Sequence, residues 1–191
     1  MVRIRVELKE VECRNPEDIG GDEFYLVGSV TDGNKDNIGV ILTKPIKIKK
    51  KQTKSLESVK GGGIVFDADV PENGTLKVAM VAYDEDSAKD WSKHGDMVEK
   101  ISYGVSSGLA ATSNPYAILA GGILQFATKA VGGIMKLDKD DKLGTLEENK
   151  SVRSLAREKT VNWSFSKKPK NRFQRWWSSW DYTVRYKITK G

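Results

Sequence analysis

The chain has 191 residues, a formal net charge of +6, 38% hydrophobic residues and 30% charged residues, which suit one soluble domain or one domain with an appendage. A single cysteine, Cys13, excludes an internal disulfide and any zinc site built from several cysteines. The first residues enter directly into an alternating pattern, so we expect no signal peptide and a cytoplasmic or peripheral membrane protein.

Short segments with strand-like patterns follow one another in the first part of the chain. Residues 2–11 alternate apolar and charged side chains, residues 24–31 are rich in β-branched and aromatic side chains, and residues 38–48 run into lysines. Residues 64–70 and 76–83 alternate again, with turn residues between them. Short strands at this spacing favour an antiparallel β-sandwich.

The pattern changes after residue 86. Between residues 87 and 136 the hydrophobic period lengthens to that of a helix, Pro115 marks a break, and residues 103–135 carry no charge except Lys129. We predict an α-helical hairpin at 87–136, inserted into a loop of a single domain that spans 1–191. Each half is shorter than the ~20 apolar residues of a transmembrane helix. Three uses of the hairpin stay open: packing against the sandwich, insertion into a membrane, and assembly of an oligomer. Further strands are predicted at 142–147, 160–166 and 182–188.

Aspartates cluster beside two of the predicted strands. Clustered carboxylates repel one another unless a cation, protons or wide solvation separates their charges. Ca²⁺ takes about six to eight oxygen ligands, many of them from carboxylates. The predicted metal ligands are Asp18, Asp22, Asp84, Asp86, Asp140 and Asp141. The alternative is a set of solvated turn residues, because aspartate favours turns for local hydrogen-bonding reasons.

Basic residues concentrate in two regions. Residues 44–60 hold seven lysines against Glu57 alone, and the chain from residue 157 onward holds ten basic residues against two acidic ones. Residues 172–180 mix arginine with tryptophan, a combination found at membrane interfaces and in single-stranded nucleic-acid sites. These surfaces indicate an anionic partner. The predicted lipid-binding residues are Lys47, Lys49, Lys51, Lys54, Arg175, Trp176 and Trp177. The alternatives are lysines that protect an edge strand and tryptophans that cover the core.

In order, these strands and loops resemble a C2 domain. Residues 18–27 resemble the first acidic loop of that family, 47–54 its lysine-rich strand, and 64–66 with 76–86 the strands that lead into its third loop. Residues 140–144 (Asp-Asp-Lys-Leu-Gly) resemble the end of that loop, which the family usually closes within a few residues. The resemblance implies a mainly β, antiparallel, eight-stranded C2-like β-sandwich, here with the inserted helical hairpin. It also implies that loops at one end bind Ca²⁺ and anionic lipid.

Catalysis has little support in the sequence. His94 is the only histidine, no nucleophile partners it in order, and residues 61–63 lack the spacing of a phosphate-binding glycine loop. We therefore predict a non-enzymatic protein that binds anionic phospholipid membranes with Ca²⁺ as cofactor, and nucleic acid is not the expected partner. Two alternatives stay open. One is a structural or assembly protein that uses the hairpin to bind a protein partner or form a homo-oligomer, and the other is a membrane-inserting, pore-forming effector.

Overall fold

The computed structural model describes residues 1–33, 37–59, 62–85, 141–168 and 179–191. These residues form ten strands and one turn of 3-10 helix at Val152–Ser154. The strands are β1 (Val2–Asn15), β2 (Asp22–Asp32), β3 (Ile38–Leu42), β4 (Ile46–Ile48), β5 (Gln52–Ser55), β6 (Ile64–Val70), β7 (Thr75–Asp84), β8 (Asp141–Ser151), β9 (Glu158–Lys167) and β10 (Trp180–Lys190). In the described ranges no helix is long and apolar enough to span a membrane.

The strands make two antiparallel sheets. Sheet 1 has the order β5-β1-β10-β9, with β6 also paired to β1, and sheet 2 has the order β3-β2-β7-β8, with β4 also paired to β2. Strand alternation places one row of side chains from each sheet between the two. In β1 that row includes Ile4, Val6 and Leu8, all essentially inaccessible to solvent. A continuous apolar core therefore fills the space between the two sheets.

A glycine lets the two sheets approach closely along one edge. A Cβ atom on Gly39 of β3 would lie 2.0 Å from the carbonyl oxygen of Val65 in β6. Real Cβ atoms do not come that close to a backbone oxygen, so any larger residue would push β3 away from β6. The absence of a side chain at Gly39 thus closes the sandwich on this side.

The outer face of sheet 1 carries charges that neutralise one another. Arg3 Nε donates to Asp67 Oδ1 at 2.7 Å, and Arg5 Nη2 donates to Asp67 Oδ2 at 2.9 Å. Further along the sheet, Arg185 pairs with both Glu10 and Glu12. This pattern is typical of a sheet face in contact with water.

Replacing Asp67 by Asn is expected to weaken the acid dependence of stability. Desolvation raises the pKa of Asp67, but hydrogen bonds from Arg5 and Arg3 outweigh it and hold the pKa below its ordinary value. A lowered folded-state pKa contributes stability above the unfolded-state pKa, and that stability is lost as the pH falls through the folded-state pKa. Urea unfolding should show a deficit for Asp67→Asn at pH 7 that shrinks below about pH 4. A deficit independent of pH would contradict this role.

The predicted fold class is wrong in two respects. The described chain has ten strands, not eight, because residues 38–48 divide into β3 and β4 and because the lysine-rich segment 47–54 turns back on itself to start a separate strand, β5. Pro45 separates β3 from β4, since proline lacks the N–H that a continuous strand would use. The described residues also contain no α-helix, so the inserted helical hairpin is not supported, and its range 87–136 lies outside them. Glycine lowers helix propensity, so the periodic pattern there was a weak basis for a helix.

Candidate functional site

Four connections between strands leave the sandwich at the same end. The backbone register pairs Asp22 with Ile48, Cys13 with Gln52, and Phe24 with Asp84. Asp84 in turn pairs with Asp141, and β9 and β10 meet there through Lys167 and Trp180. We call this end of the sandwich the rim. The connections that begin and end on it are 16–21, 49–51, 85–140 and 168–179.

Asp22 holds the first of these connections in place. Its two carboxylate oxygens accept hydrogen bonds from the backbone N–H groups of Glu17 and Asp18, each at 2.9 Å. Oδ2 also accepts a hydrogen bond from the Tyr182 hydroxyl, which brings β10 of sheet 1 into the same cluster. Asp22 is wholly buried, and burial raises the pKa of its carboxyl group although these hydrogen bonds act in the opposite direction. The side chain is a structural acceptor that joins the loop to both sheets.

Cys13 lies beside this cluster and is buried. Burial raises the pKa of its thiol to about 11, while a hydrogen bond with Tyr182 acts in the opposite direction. A thiol with a raised pKa is a poor nucleophile near neutral pH. Cys13 is therefore a packing residue.

Asp84 is the second predicted metal ligand that reaches the rim. Its Oδ1 accepts a hydrogen bond from the backbone N–H of Glu23 at 2.8 Å, and the side chain is 2% exposed. The N–H of Glu85 donates to the carbonyl of Glu23 at 3.1 Å, so the pairing of β7 with β2 extends past the end of β7. Asp84 thus fastens the last residues of β7 to the start of β2.

The described part of the predicted calcium site does not fit a calcium ion by itself. Asp22 and Asp84 are brought to one end of the fold, but both are buried and engaged with backbone N–H groups, and Asp18 is exposed. Among the described residues, no group of three or more acidic, histidine or cysteine side chains is arranged to hold a metal ion. Asp86, Asp140 and the side chain of Asp141 lie outside the described residues. Calcium binding stays a prediction that rests on them.

The lysine-rich segment forms a tight turn at the rim. The turn joins β4 of sheet 2 to β5 of sheet 1, and it is closed by hydrogen bonds from Lys49 N to Gln52 Oε1 (3.0 Å) and from Gln52 N to Lys49 O (3.1 Å). Lys51 adopts a positive φ of 62°, which completes the reversal of the chain. We call Lys49, Lys50 and Lys51 the lysine turn, and all three side chains are exposed. Sequence reasoning did not include Lys50 among the lipid-binding residues, although its place between two that were included was the available signal.

The lysine turn lies directly against the connection that Asp22 organises. Gly21 has a φ of 92°, and a Cβ atom there would lie 2.6 Å from the Ile48 carbonyl oxygen and 2.9 Å from the Lys49 side chain. Only glycine combines this backbone conformation with so close an approach. Gly21 thus packs the first connection against the base of the lysine turn.

The other predicted lipid-binding residues divide into two groups. Lys47 and Lys54 are exposed on β4 and β5, and Lys47 Nζ lies 3.3 Å from Glu23 Oε1, so part of its charge is neutralised. The remaining residues, Arg175, Trp176 and Trp177, lie outside the described chain.

Trp180 marks the point where residues 168–179 rejoin the fold. Its Nε1 donates to the Leu143 carbonyl at 2.8 Å, and the ring is buried. Lys167 Nζ sits 4.4 Å from the ring centroid, a cation–π contact that sequence reasoning missed. Lys167 belongs to β9, which lies at the opposite edge of sheet 1 from β5 and the lysine turn. At a strand spacing of about 4.8 Å, the two edge strands are ~14 Å apart. Basic side chains are therefore found at both edges of the rim.

The comparisons with known proteins concern the fold. No protein-family model matches the chain, and no curated protein sequence is similar to it. Solved structures that are similar to it include two C2 domains. One, a C2 domain of a plant extended synaptotagmin 1, has 8% identity and a TM-score of 0.41 over 99% of this chain and 93% of that one. The other C2 domain structure has 12% identity and a TM-score of 0.37 over 100% and 99%.

A third similar structure is human GIVD cytosolic phospholipase A2, in complex with a fluorophosphonate inhibitor and terbium chloride. It has 9% identity and a TM-score of 0.39 over 99% of this chain and 17% of that one. The described strands form a sandwich of two antiparallel sheets, which is the architecture that the resemblance to a C2 domain predicted.

Proposed function

We propose that this chain is a non-enzymatic module that binds anionic phospholipid membranes through the rim, with the lysine turn as the main contact. The observation that supports the proposal most directly is the position of Lys49, Lys50 and Lys51. They are three consecutive exposed cations at the tip of a turn, on the end of the fold from which the longest connections leave.

The charge balance distinguishes this turn from the outer face of sheet 1. On the outer face of sheet 1, Arg3, Arg5 and Arg185 are paired with carboxylates. In the described part of the chain, no carboxylate forms an ion pair with any residue of the lysine turn. Cations that no described carboxylate neutralises are available to an external anion, at about 1 kcal/mol per residue near an anionic bilayer.

Calcium is the finer part of the proposal. If Asp86, Asp140 and Asp141 bind Ca²⁺ at the rim, the ion adds positive charge beside the lysine turn and increases the attraction to lipid phosphate. In the described chain Asp22 and Asp84 already serve backbone donors, so the lysine turn is the component that we expect to act with or without the metal.

Neutralising the lysine turn tests the proposal. The variant Lys49→Gln/Lys50→Gln/Lys51→Gln removes three charges without touching the core, and we expect its affinity for vesicles of phosphatidylcholine with phosphatidylserine to fall about 100-fold, from ~1 kcal/mol per residue. Sedimentation with the vesicles, in Ca²⁺ and in chelator, measures the loss. Vesicles of phosphatidylcholine alone should bind neither protein.

A matched control removes the same charge from the opposite end of the sandwich. Arg153, Arg157 and Lys159 are exposed there, beyond the end of β8 and at the start of β9. Their replacement by Gln should leave most of the vesicle affinity intact. Equal losses in the two variants would show a dependence on net charge alone and would remove the lysine turn from the proposal. Binding seen only with Ca²⁺ would instead make the metal the main contact.

A further inference from the structure

The outer face of sheet 2, which points away from sheet 1, is apolar and buried. It carries Tyr25 and Val27 of β2, Leu42 of β3, and Val81 and Tyr83 of β7, none of them more than 8% exposed. The rings of Tyr25 and Tyr83 stack with their centroids 5.4 Å apart. A sheet face in water normally carries polar side chains, and strands with apolar residues on both faces are typical of sheets covered on both sides.

The described elements do not account for this burial. The main core draws residues from both sheets, and β2 contributes Phe24, Leu26 and Val30 to it. The cluster around Tyr25 is separate, and its described members belong to sheet 2 alone. Sheet 1 provides the contrast, because its outer face carries the paired charges of Arg3, Arg5 and Asp67 instead of apolar side chains.

We propose that the outer face of sheet 2 is the docking surface for this chain's own segment 86–140. The segment begins after Glu85, the residue that follows β7, and it ends where β8 starts, so both of its ends are attached to sheet 2. It is the longest part of the chain outside the described residues, and within it residues 103–135 carry a single charge, at Lys129. A stretch of this length with one charge, attached at the edge of an apolar sheet face, is the nearest part of the chain that could cover that face.

The distribution of burial locates the contact on the sheet. Every residue of β2 from Phe24 to Asp32 is buried, and β7 is fully buried only in its last residues, those nearest the rim. On β8 the neighbouring positions Thr145 and Glu147 are exposed. The covered area therefore runs from the rim along β2 and its neighbours β3 and β7, and it does not extend over β8.

Two buried hydroxyl groups on the outer face of sheet 2 indicate that the occupant carries polar groups as well as apolar ones. Ser29 and Thr31 follow Val27 on the same face of β2, are 1% exposed, and have side-chain oxygens with no hydrogen-bond partner in the described structure. Buried hydroxyls normally find a partner. Segment 103–135 contains serine, threonine and asparagine among its apolar residues, in contrast to a lipid acyl chain.

Photo-crosslinking in the full-length chain tests the proposal. In the variant Tyr25→p-benzoylphenylalanine an aromatic side chain with a photoreactive group takes the place of a buried tyrosine. After irradiation and proteolysis, we expect mass spectrometry to find crosslinks within one chain from position 25 to residues 103–135. The same substitution at Thr160, which is exposed on β9 of sheet 1, should give no such crosslinks.

Two results would overturn the proposal. In an equal mixture of isotopically light and heavy protein, crosslinks that join a light and a heavy chain would make a second copy the occupant. An absence of crosslinks to any residue of 86–140 in a correctly folded variant would exclude the segment.

Hydroxyl-radical footprinting of the unmodified protein provides a check that needs no substitution. Tyr25 and Tyr83 should be oxidised as slowly as the core residues Tyr182 and Tyr186, at every protein concentration. Protection that disappears on dilution would indicate a second copy, and rapid oxidation of Tyr25 at all concentrations would show an open face. Neither experiment involves lipid, so their outcome is independent of the proposed membrane function.

Discussion

The substitution Asp22→Ala is expected to lower the free energy of unfolding by about 3 kcal/mol. The carboxylate accepts hydrogen bonds from Glu17 N, Asp18 N and the Tyr182 hydroxyl, and all three donors would lose their partner. A buried donor left without a partner costs ~1–3 kcal/mol, and water entering near the surface recovers part of that for the loop N–H groups. Urea unfolding in the presence of a calcium chelator measures the loss without any contribution from metal.

The Tyr182→Phe variant is the matched control for Asp22→Ala. It removes one donor and leaves the two backbone bonds, so the expected loss is smaller, ~1.5 kcal/mol. The double variant should lose less free energy of unfolding than the sum of the two single losses, because the two residues share a hydrogen bond. If Asp22→Ala unfolds like the parent in chelator and differs from it only with Ca²⁺ present, Asp22 is a metal ligand and not the structural acceptor described above.

The second large effect is expected on the outer face of sheet 2, where Val81→Asp should cost more than ~3 kcal/mol. Val81 is 5% exposed in the apolar cluster, and a carboxylate placed there must be buried without a partner or must open the face to water. The measurement is chemical denaturation at neutral pH. The loss should decrease at acidic pH, where the introduced carboxyl group is protonated and neutral.

Thr145→Asp is the control for Val81→Asp. Thr145 is the direct cross-strand partner of Val81 on β8, and it is exposed. The same charge one strand away should therefore change stability by no more than ~0.5 kcal/mol. Similar tolerance at both positions would mean that the face at Val81 is open to solvent.

The sequence predicted the sandwich well because most strands of sheet 1 alternate strictly. In β1 the row Ile4, Val6 and Leu8 faces the core while Arg3 and Arg5 face water, and this difference is visible in the residue types. The division of residues 38–48 was missed although Thr43, Lys44 and Pro45 interrupt the apolar pattern between β3 and β4. The Thr43 hydroxyl accepts a hydrogen bond from Leu26 N at 2.9 Å, a contact between residues distant in sequence that no local pattern reveals.

The aspartates illustrate a second limit of sequence reasoning. The prediction that distant aspartates meet at one end of the fold is correct for Asp22 and Asp84. Both carboxylates accept hydrogen bonds from backbone N–H groups. A carboxylate next to a turn can serve such groups as well as a cation, and both uses favour the same residue type. The buried outer face of sheet 2 did have a signal, since β2 is apolar at successive positions and does not alternate.

The attachment of the lysine turn to both sheets has a consequence for the geometry of binding. Because β4 is bonded to β2 and β5 to β1, the three ammonium groups are carried on a backbone that cannot swing freely. Little backbone freedom remains to be lost on adsorption, which lowers the entropic cost of association. The rigid attachment also means that a bilayer in contact with this turn fixes the tilt of the described sandwich. The end of the sandwich opposite the rim, at residues 153–159, is then farthest from the lipid.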